Sequence, residues 1–214
     1  MVNKPKHYSL AKARSHLSKA DPQMGALIKK VGATKVRSES ELSVFQSLVR
    51  AIAYQMLSTK SAAAIYGRLV EQCKNTVTPK SVKKLGEDVL RDIGFSRAKV
   101  VSIMDLSQKM QSGAIPADDV LVTLTDQELV ECLTVVKGIG VWSVEILMIF
   151  NLGRADVFPA TDLGVRKGHM LACGLDEMLT AKQLLVESDA WRPYRTVAAW
   201  YLWRATDSVD WGAM

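Results

Sequence analysis

Apolar residues recur along most of this chain at the three- and four-residue spacing of an amphipathic α-helix. Three series show this spacing most clearly: 45–56, 62–73 and 129–136. Sequences that favour helix starts precede several helical segments: Asp21-Pro22, Ser96, and the capping boxes that begin at Thr125 and Thr180. Short apolar runs such as Val120–Leu124 could form strands, but they are few and lack hairpin turns. The pattern therefore predicts an all-α protein of about ten helices with short connections.

Composition and charge narrow the classes of protein that this sequence can encode. The 214 residues are 48% hydrophobic and 23% charged, which is typical of a globular protein rather than a disordered one. Lys and Arg number 28 against 22 Asp and Glu, so the net charge of +6 favours an anionic partner such as nucleic acid or a membrane surface. The sequence contains neither an apolar run of membrane-spanning length nor a signal-peptide pattern. We therefore expect an intracellular protein.

A Gly-x-Gly turn between two helical segments is the first candidate for chemistry. Helix 126–136 is followed by Lys137-Gly138-Ile139-Gly140, and then by an apolar helix that reaches Phe150. Glycine permits positive φ and leaves no side chain over the peptide N–H groups at the start of the second helix. Such a turn can bind a phosphate oxygen and position DNA without reading its sequence. A plain αα-hairpin with a glycine cap is the alternative.

An aspartate follows the second helix, after a loop that contains glycine and proline. Asp162 comes shortly after Val157-Phe158-Pro159 and directly before another helical segment, so it is either a helix cap or a functional carboxylate. Asp156 is the rival carboxylate in this loop, and its position before Val157 favours a loop role.

Together these features resemble the helix-hairpin-helix DNA glycosylase superfamily, and within it the 3-methyladenine DNA glycosylase II branch. The resemblance covers about residues 20–206 and is carried by four segments: 51–63, 93–99, 137–143 and 157–162. It implies a single catalytic unit, 1–214, made of two helical lobes with an active-site cleft between them. The first lobe would span approximately 44–161, with the hairpin at 126–150, and the second 1–43 plus 162–214.

The resemblance implies a DNA-3-methyladenine glycosylase II. Such a hydrolase flips an alkylated purine of the 3-methyladenine or 7-methylguanine type out of the duplex and cuts its N-glycosidic bond, in base excision repair. Asp162 would be the catalytic carboxylate. Trp142, Trp203, Glu145 and Tyr54 would line the base pocket. Glu145 would be the second candidate carboxylate, with an ordinary solvated helix glutamate as the favoured alternative. Members with lyase activity carry a lysine where this chain has Trp142, so the resemblance implies a monofunctional enzyme.

The resemblance also places the DNA contacts, which would come from the loop after helix 45–56 and from the hairpin: Gln55, Met56, Leu57, Ser58, Lys60, Lys137, Gly138, Ile139 and Gly140. Met56 or Leu57 would be the wedge that fills the gap left by the flipped base, with core packing as the alternative. No cofactor is required, although a structural Na⁺ or K⁺ could bind the backbone of Val136 and Ile139. The cysteines, Cys73, Cys132 and Cys173, are too widely spaced for an iron–sulfur cluster.

The expected partner is double-stranded DNA that contains damaged bases, and we expect a monomer that does not bind membranes. The expected location is the cytoplasm, with the nucleoid in a bacterium, or the nucleus in a eukaryote. Five further cations could contact phosphates or simply keep the surface soluble: Arg97, Lys99, Lys60, Arg166 and Lys167. Three tryptophans are assigned to the core: Trp191, Trp200 and Trp211.

Three other functions stay open at this point. The chain could be a non-catalytic helix-hairpin-helix DNA-binding protein, although that function leaves Asp162 and the tryptophans unexplained. It could be a glycosylase for another lesion, such as an oxidised, deaminated or mismatched base. It could also be a helical protein that binds a small molecule and has no DNA role, which salt-sensitive binding to duplex DNA would exclude.

Overall fold

The computed structural model describes residues 8–34, 36 and 42–207, and every regular element in this part is helical, which confirms the all-α prediction. The run at 120–124 forms no strand, and a single helical turn precedes Val122 instead. In chain order the helices are α1 (Leu10–Ala20), α2 (Pro22–Val31), α3 (Val44–Tyr54), α4 (Thr59–Gln72), α5 (Pro79–Asp92), α6 (Arg97–Gln111), α7 (Asp118–Leu121), α8 (Asp126–Leu133), α9 (Val141–Phe150), α10 (Leu163–Cys173), α11 (Ala181–Glu187) and α12 (Arg195–Thr206), with a 3₁₀ segment at Ser188–Trp191.

The predicted helix starts are present as hydrogen-bonded caps. Asp21 accepts bonds from two backbone N–H groups at the start of α2, where Pro22 is the first helical residue. Thr125 Oγ1 accepts from the Glu128 N–H at 3.2 Å, and the Glu128 carboxylate accepts from the Thr125 N–H at 2.8 Å. A capping box is also present at Thr180. The predicted helix 126–136 ends earlier, at Leu133, because the chain then tightens into the hairpin turn.

The chain divides into two compact units, and residues 42–147 make up the described part of the first. This unit contains α3–α8 and the start of α9. Large apolar side chains form its core, and they include Leu48, Ile52, Leu69, Leu90, Ile103 and Leu106. Leu48, Ile52 and Leu69 fall on the helical series that the sequence predicted, whereas Leu90, Ile103 and Leu106 lie in α5 and α6, outside those series.

The second unit contains α1, α2, the end of α9 and α10–α12. Its core includes Phe158 and Ala160, which is why the structural boundary lies at Leu147/Met148 rather than near residue 161 as predicted. The predicted outer limits, residues 1 and 214, lie outside the described residues. Helices α10 and α12 touch at Gly168, where an added Cβ would lie 1.9 Å from the Leu202 carbonyl oxygen. Only glycine permits this approach, and the contact fixes the site described below.

The tryptophans that were predicted to belong to the core differ in their burial. Trp191 is buried, as predicted, and its indole N–H donates to Asp21 Oδ2 at 2.9 Å. Trp200 is only half-buried, and Trp211 lies outside the described residues. The cysteines in the described part are free thiols. None of the described helices combines the length and apolar character that a membrane crossing requires.

Candidate active site

Asp162 caps α10, and donors from two helices hold its carboxylate. The Val165 N–H of α10 and the indole Nε1–H of Trp203 in α12 each lie 2.9 Å from Oδ1. Both Asp162 and Trp203 are half-buried. Asp162 is therefore a helix cap, one of the two roles considered for it, and the same bonds give its carboxylate a defined orientation at a partly shielded position.

An aromatic pair lies beside this carboxylate. Phe150, the last residue of α9, stacks on Trp203 with ring centroids 5.7 Å apart and planes inclined by 28°, while 40% of Phe150 stays exposed. Gly164 makes room for the indole, because an added Cβ would lie 3.0 Å from Trp203 Cδ1 and 3.1 Å from Asp162 Oδ1. Neither Phe150 nor Gly164 was predicted from the sequence as a site residue. The only feature of the sequence that could have indicated one of them is the position of Gly164, two residues after Asp162.

Asp156, the rival carboxylate, belongs to an ion cluster. Arg195 Nε donates to Oδ1 at 2.8 Å, Arg192 Nη1 pairs with Oδ2, and Arg195 Nη2 also donates to the Asp156 carbonyl at 2.8 Å. The Arg195 side chain is almost fully buried, so the pair holds the loop against the start of α12. Asp156 therefore has the structural role that its position predicted, and Asp162 is the better candidate for chemistry.

The hairpin turn, residues 134–140, is built against α6 within the first unit. Gly138 has φ +77°, and a Cβ there would lie 2.2 Å from Ser102 Oγ. The Lys137 N–H donates to Asp105 Oδ2 at 2.9 Å. Ile139 is buried and its N–H donates to the Val136 carbonyl at 3.1 Å, so only its backbone is available for the predicted DNA contact. Helix α9 then begins at Val141, directly after Gly140.

The carboxylate behind the hairpin is stabilised as an anion. Burial raises the pKa of Asp105, but hydrogen bonds from the Lys109 side chain and the Lys137 backbone lower it more, and the net pKa lies below its ordinary value. A carboxylate that stays ionised keeps its bond to the turn over the whole neutral pH range. No local sequence pattern indicates this support, because Asp105 and Lys137 are 32 residues apart.

The predicted wedge loop, Gln55–Lys60, follows α3, and its last two residues already belong to α4. Met56 is 100% exposed and has φ +54°, which is uncommon for a long side chain, and Leu57 is 41% exposed. Core packing, the alternative for Met56, is therefore wrong. Gln55 Nε2 donates to the Gly138 carbonyl at 3.3 Å and to Ser143 Oγ at 3.4 Å, so the loop is tied to the hairpin.

Two cations predicted to contact phosphates instead bind main-chain carbonyls. Lys99 Nζ donates to the Ala53 carbonyl at 2.8 Å, at the end of α3, and burial lowers the pKa of Lys99. Arg166 Nε donates to the Leu179 carbonyl at 2.9 Å. The other candidate cations have exposed side chains: Lys60, Arg97, Lys137 and Lys167. Ser58, a further predicted contact, caps α4 by accepting the Ser61 N–H at 3.2 Å.

The remaining predicted pocket residues belong to the first unit. Trp142 is 38% exposed, and Glu145, one helical turn later, has its Oε2 shielded from solvent, unlike an ordinary surface glutamate. The Arg50 guanidinium lies 5.0 Å from the ring centroid of Tyr54, so one face of that ring already carries a cation. Within the described residues no group of His, Cys, Asp and Glu could hold a metal ion.

Comparisons with known proteins place this arrangement in a family. Residues 49–193 match the model of the HhH-GPD superfamily base excision DNA repair proteins. DNA-3-methyladenine glycosylase 1 of Schizosaccharomyces pombe is 38% identical over 205 residues, which cover 94% of this chain and 90% of the relative. The structure of that organism's 3-methyladenine DNA glycosylase Mag1 in complex with abasic DNA matches with a TM-score of 0.83 and 38% identity, over 90% of this chain and 95% of that chain.

A second solved structure agrees with the first. The DNA-3-methyladenine glycosidase of Bacillus halodurans matches with a TM-score of 0.80 and 32% identity, over 92% of this chain and 89% of that chain. The family model alone spans more than half of the 214 residues, and it includes the wedge loop, the hairpin and Asp162. This chain therefore belongs to the HhH-GPD superfamily of base excision DNA repair proteins.

Proposed function

We propose that this protein is a DNA glycosylase that excises alkylated purines, of the 3-methyladenine and 7-methylguanine type, from double-stranded DNA. The observation that carries the proposal is the Asp162 carboxylate, oriented by the Trp203 indole beside the Phe150 ring. The substrate class is supported by the relatives, which are named for 3-methyladenine. The cleft between the lobes, expected from the resemblance, stays a prediction.

The proposed chemistry needs one carboxylate. Alkylation at N3 or N7 makes the purine cationic, so the base is a good leaving group and departs as a neutral molecule. When the N-glycosidic bond breaks, its electron pair goes to the base and positive charge develops on the sugar. Asp162 stabilises that charge and orients or deprotonates the attacking water, which becomes the hydroxyl at C1′. The product is an abasic site in an intact strand.

Aromatic rings give the proposed preference for a cationic base. Stacking of a cation on an indole is worth about 0.5–2 kcal/mol, and Trp142 and Trp203 both present partly exposed rings. Tyr54 can contribute by one ring face, since Arg50 lies over the other. Glu145 stays the second candidate carboxylate, and its Oε2 is shielded from solvent.

The proposed DNA contacts are made by an exposed side chain and by backbone groups of the hairpin. Met56 is the proposed wedge because its side chain is fully exposed. Ser143 and Val144 already donate to the Gly140 carbonyl, so the phosphate contact at the start of α9 is proposed for the Val141 amide, directly after Gly140. An Na⁺ or K⁺ on the carbonyls of Val136 and Ile139 is part of the proposal, as is a monomer that needs no other cofactor. The cytoplasmic or nuclear location stays a prediction.

We further propose that the enzyme has no lyase activity. Trp142 stands where lyase members carry a lysine, and an indole nitrogen cannot form a Schiff base with the sugar. Product DNA should therefore stay uncleaved until heat or alkali is applied. Prompt strand cleavage, together with a borohydride-trapped adduct, would contradict this part of the proposal.

The test of the main proposal is Asp162→Asn. Asparagine caps helices as well as aspartate does, so the fold should be kept while the anionic charge is lost. We expect release of 3-methyladenine from methylated DNA to fall by at least ~100-fold, with duplex binding largely retained. The control is Asp176→Asn, an exposed acid after the other end of α10, which should leave release unchanged. Full activity in Asp162→Asn would overturn the assignment.

The same assay separates the other candidate functions. Wild-type protein is incubated with duplexes that carry alkylated, oxidised, deaminated or mismatched bases, and the released bases are identified. Release of only non-alkylated lesions would favour a glycosylase for another substrate. Salt-sensitive binding with no release from any duplex would favour a non-catalytic DNA-binding protein.

A further inference from the structure

We infer that Trp203 is a positioning residue for Asp162, and that its indole N–H sets the rate of the reaction independently of any stacking by its ring. This inference rests on the proposed function, because it requires Asp162 to be the catalytic carboxylate. Stacking on a base would use the face of the indole, whereas the bond to Asp162 uses its edge, so the two roles can be separated by experiment.

The hydrogen bond from Trp203 exceeds what a helix cap requires. An N-cap aspartate needs to accept only the backbone N–H two or three residues later, and Val165 supplies that bond at 2.9 Å. The indole N–H comes from 41 residues further along the chain and binds the same Oδ1, also at 2.9 Å. Donors from two helices fix the torsion of the carboxylate, which one flexible contact would leave free.

Two glycines of α10 hold the indole in place. Gly168 lets α10 touch α12 at the Leu202 carbonyl, one residue before Trp203. Gly164, one turn earlier, lies under the indole edge, where an added Cβ would be 3.0 Å from Trp203 Cδ1 and 3.4 Å from Nε1. The packing of these helices therefore determines where the N–H points.

Phe150 constrains the same indole from its face. The two rings stack at 5.7 Å with an inclination of 28°. Tryptophan N–H is a donor only, so Trp203 can meet Asp162 only through an acceptor oxygen of its carboxyl group. A residue that serves only as an apolar wall for a base would need neither this donor nor its fixed direction.

The experiment replaces the N–H and keeps the ring. Trp203 is exchanged by site-specific incorporation for 3-benzothienylalanine, in which sulfur takes the place of the indole N–H in a ring system of nearly the same shape. Trp203→Phe, a smaller variant that also lacks the donor, provides a second protein in case the first folds poorly. The matched control is the same benzothienyl exchange at Trp200, which lies one turn earlier in α12 and is also half-buried.

Single-turnover release of 7-methylguanine and the Kd for the same duplex are measured for each protein. A hydrogen bond to a charged group supports an expected rate loss of about 10- to 100-fold in the benzothienyl variant, with Kd within about twofold of wild type. Trp203→Phe should lose at least as much rate, and its smaller ring can also weaken binding. The Trp200 control should react at the wild-type rate. Thermal unfolding establishes that the compared proteins are folded.

The outcomes separate this inference from the proposed function. A benzothienyl variant with the wild-type rate would show that only the ring of Trp203 matters and would overturn the positioning role. A rate loss matched by an equal loss of binding would do the same, because it would assign Trp203 to substrate binding. A wild-type protein that releases no alkylated purine would refute the proposed function itself, whatever the variants do.

Discussion

At the scale of single residues, the two glycines of the hairpin are glycine for different physical reasons. Gly138 has positive φ and lies so close to Ser102 that a Cβ would clash with its hydroxyl. Gly140 has neither constraint, because an added Cβ would meet no atom of the described residues within 4 Å beyond its chain neighbours. The fold thus explains Gly138, whereas Gly140 leaves open space directly before the first amides of α9, where a phosphate would approach.

This difference predicts opposite effects of the same substitution. Gly138→Ala should lower the free energy of unfolding by about 1–3 kcal/mol, since alanine is strained at positive φ and would displace Ser102. Gly140→Ala should leave that free energy within about 0.5 kcal/mol but weaken duplex binding severalfold, because its methyl group would lie over the amides. Chemical denaturation and fluorescence anisotropy measure the two quantities. Unchanged binding in Gly140→Ala would place the phosphate elsewhere.

At the scale of elements, side-chain hydrogen bonds connect the segment after α3 to the hairpin. Lys99 donates to the Ala53 carbonyl near the end of α3, and Gln55 donates to the Gly138 carbonyl and to Ser143 Oγ. Met56 follows directly and is fully exposed. The residue proposed to enter the DNA stack is therefore held, through one glutamine, by the turn proposed to bind the phosphates.

Breaking this link should slow the step that moves a base out of the stack. Gln55→Leu has a similar volume and cannot donate, so we expect the single-turnover rate on a fully paired duplex to fall about tenfold. The loss should be smaller when the lesion lies opposite a mismatched base, because less unpairing energy is then required. Ser143→Ala removes one of the two acceptors and should give an intermediate rate. Equal losses on both duplexes would argue against a role in flipping.

The elements also show which features a sequence can predict. Helix periodicity, caps and the Gly-x-Gly turn depend on neighbours within a few residues, so α2, α8 and the hairpin were predicted together with Asp162. The bond from Trp203 to Asp162, the Phe150 stack and the support of Lys137 by Asp105 depend on how distant helices pack. No local pattern encodes those distances, and Trp203 was predicted only through the family resemblance.

At the scale of the whole molecule, the net charge of +6 overstates the number of Lys and Arg side chains that are available to contact DNA phosphates. Lys99 and Arg166 already bind main-chain carbonyls, and Arg192 and Arg195 pair with Asp156. The hairpin would hold phosphate through neutral amides, which displace fewer counterions than a lysine or arginine does. Binding should therefore depend on salt less steeply than the composition suggests.

The salt dependence can distinguish charge contacts from backbone contacts. The exposed candidate cations, Lys60, Arg97, Lys137 and Lys167, would give a slope of log K against log salt of about −3 to −4. Lys137→Gln should reduce the magnitude of that slope by about 1, because one phosphate loses its cation. Gly140→Ala should lower K at every salt concentration and leave the slope unchanged, because the contact it blocks is uncharged. Anisotropy titrations on an undamaged duplex between 50 and 200 mM salt, about the range over which such slopes are resolved, measure both variants. An unchanged slope in Lys137→Gln would mean that the Lys137 side chain does not contact a phosphate. A changed slope in Gly140→Ala would mean that the contact blocked by the methyl group is not an uncharged one.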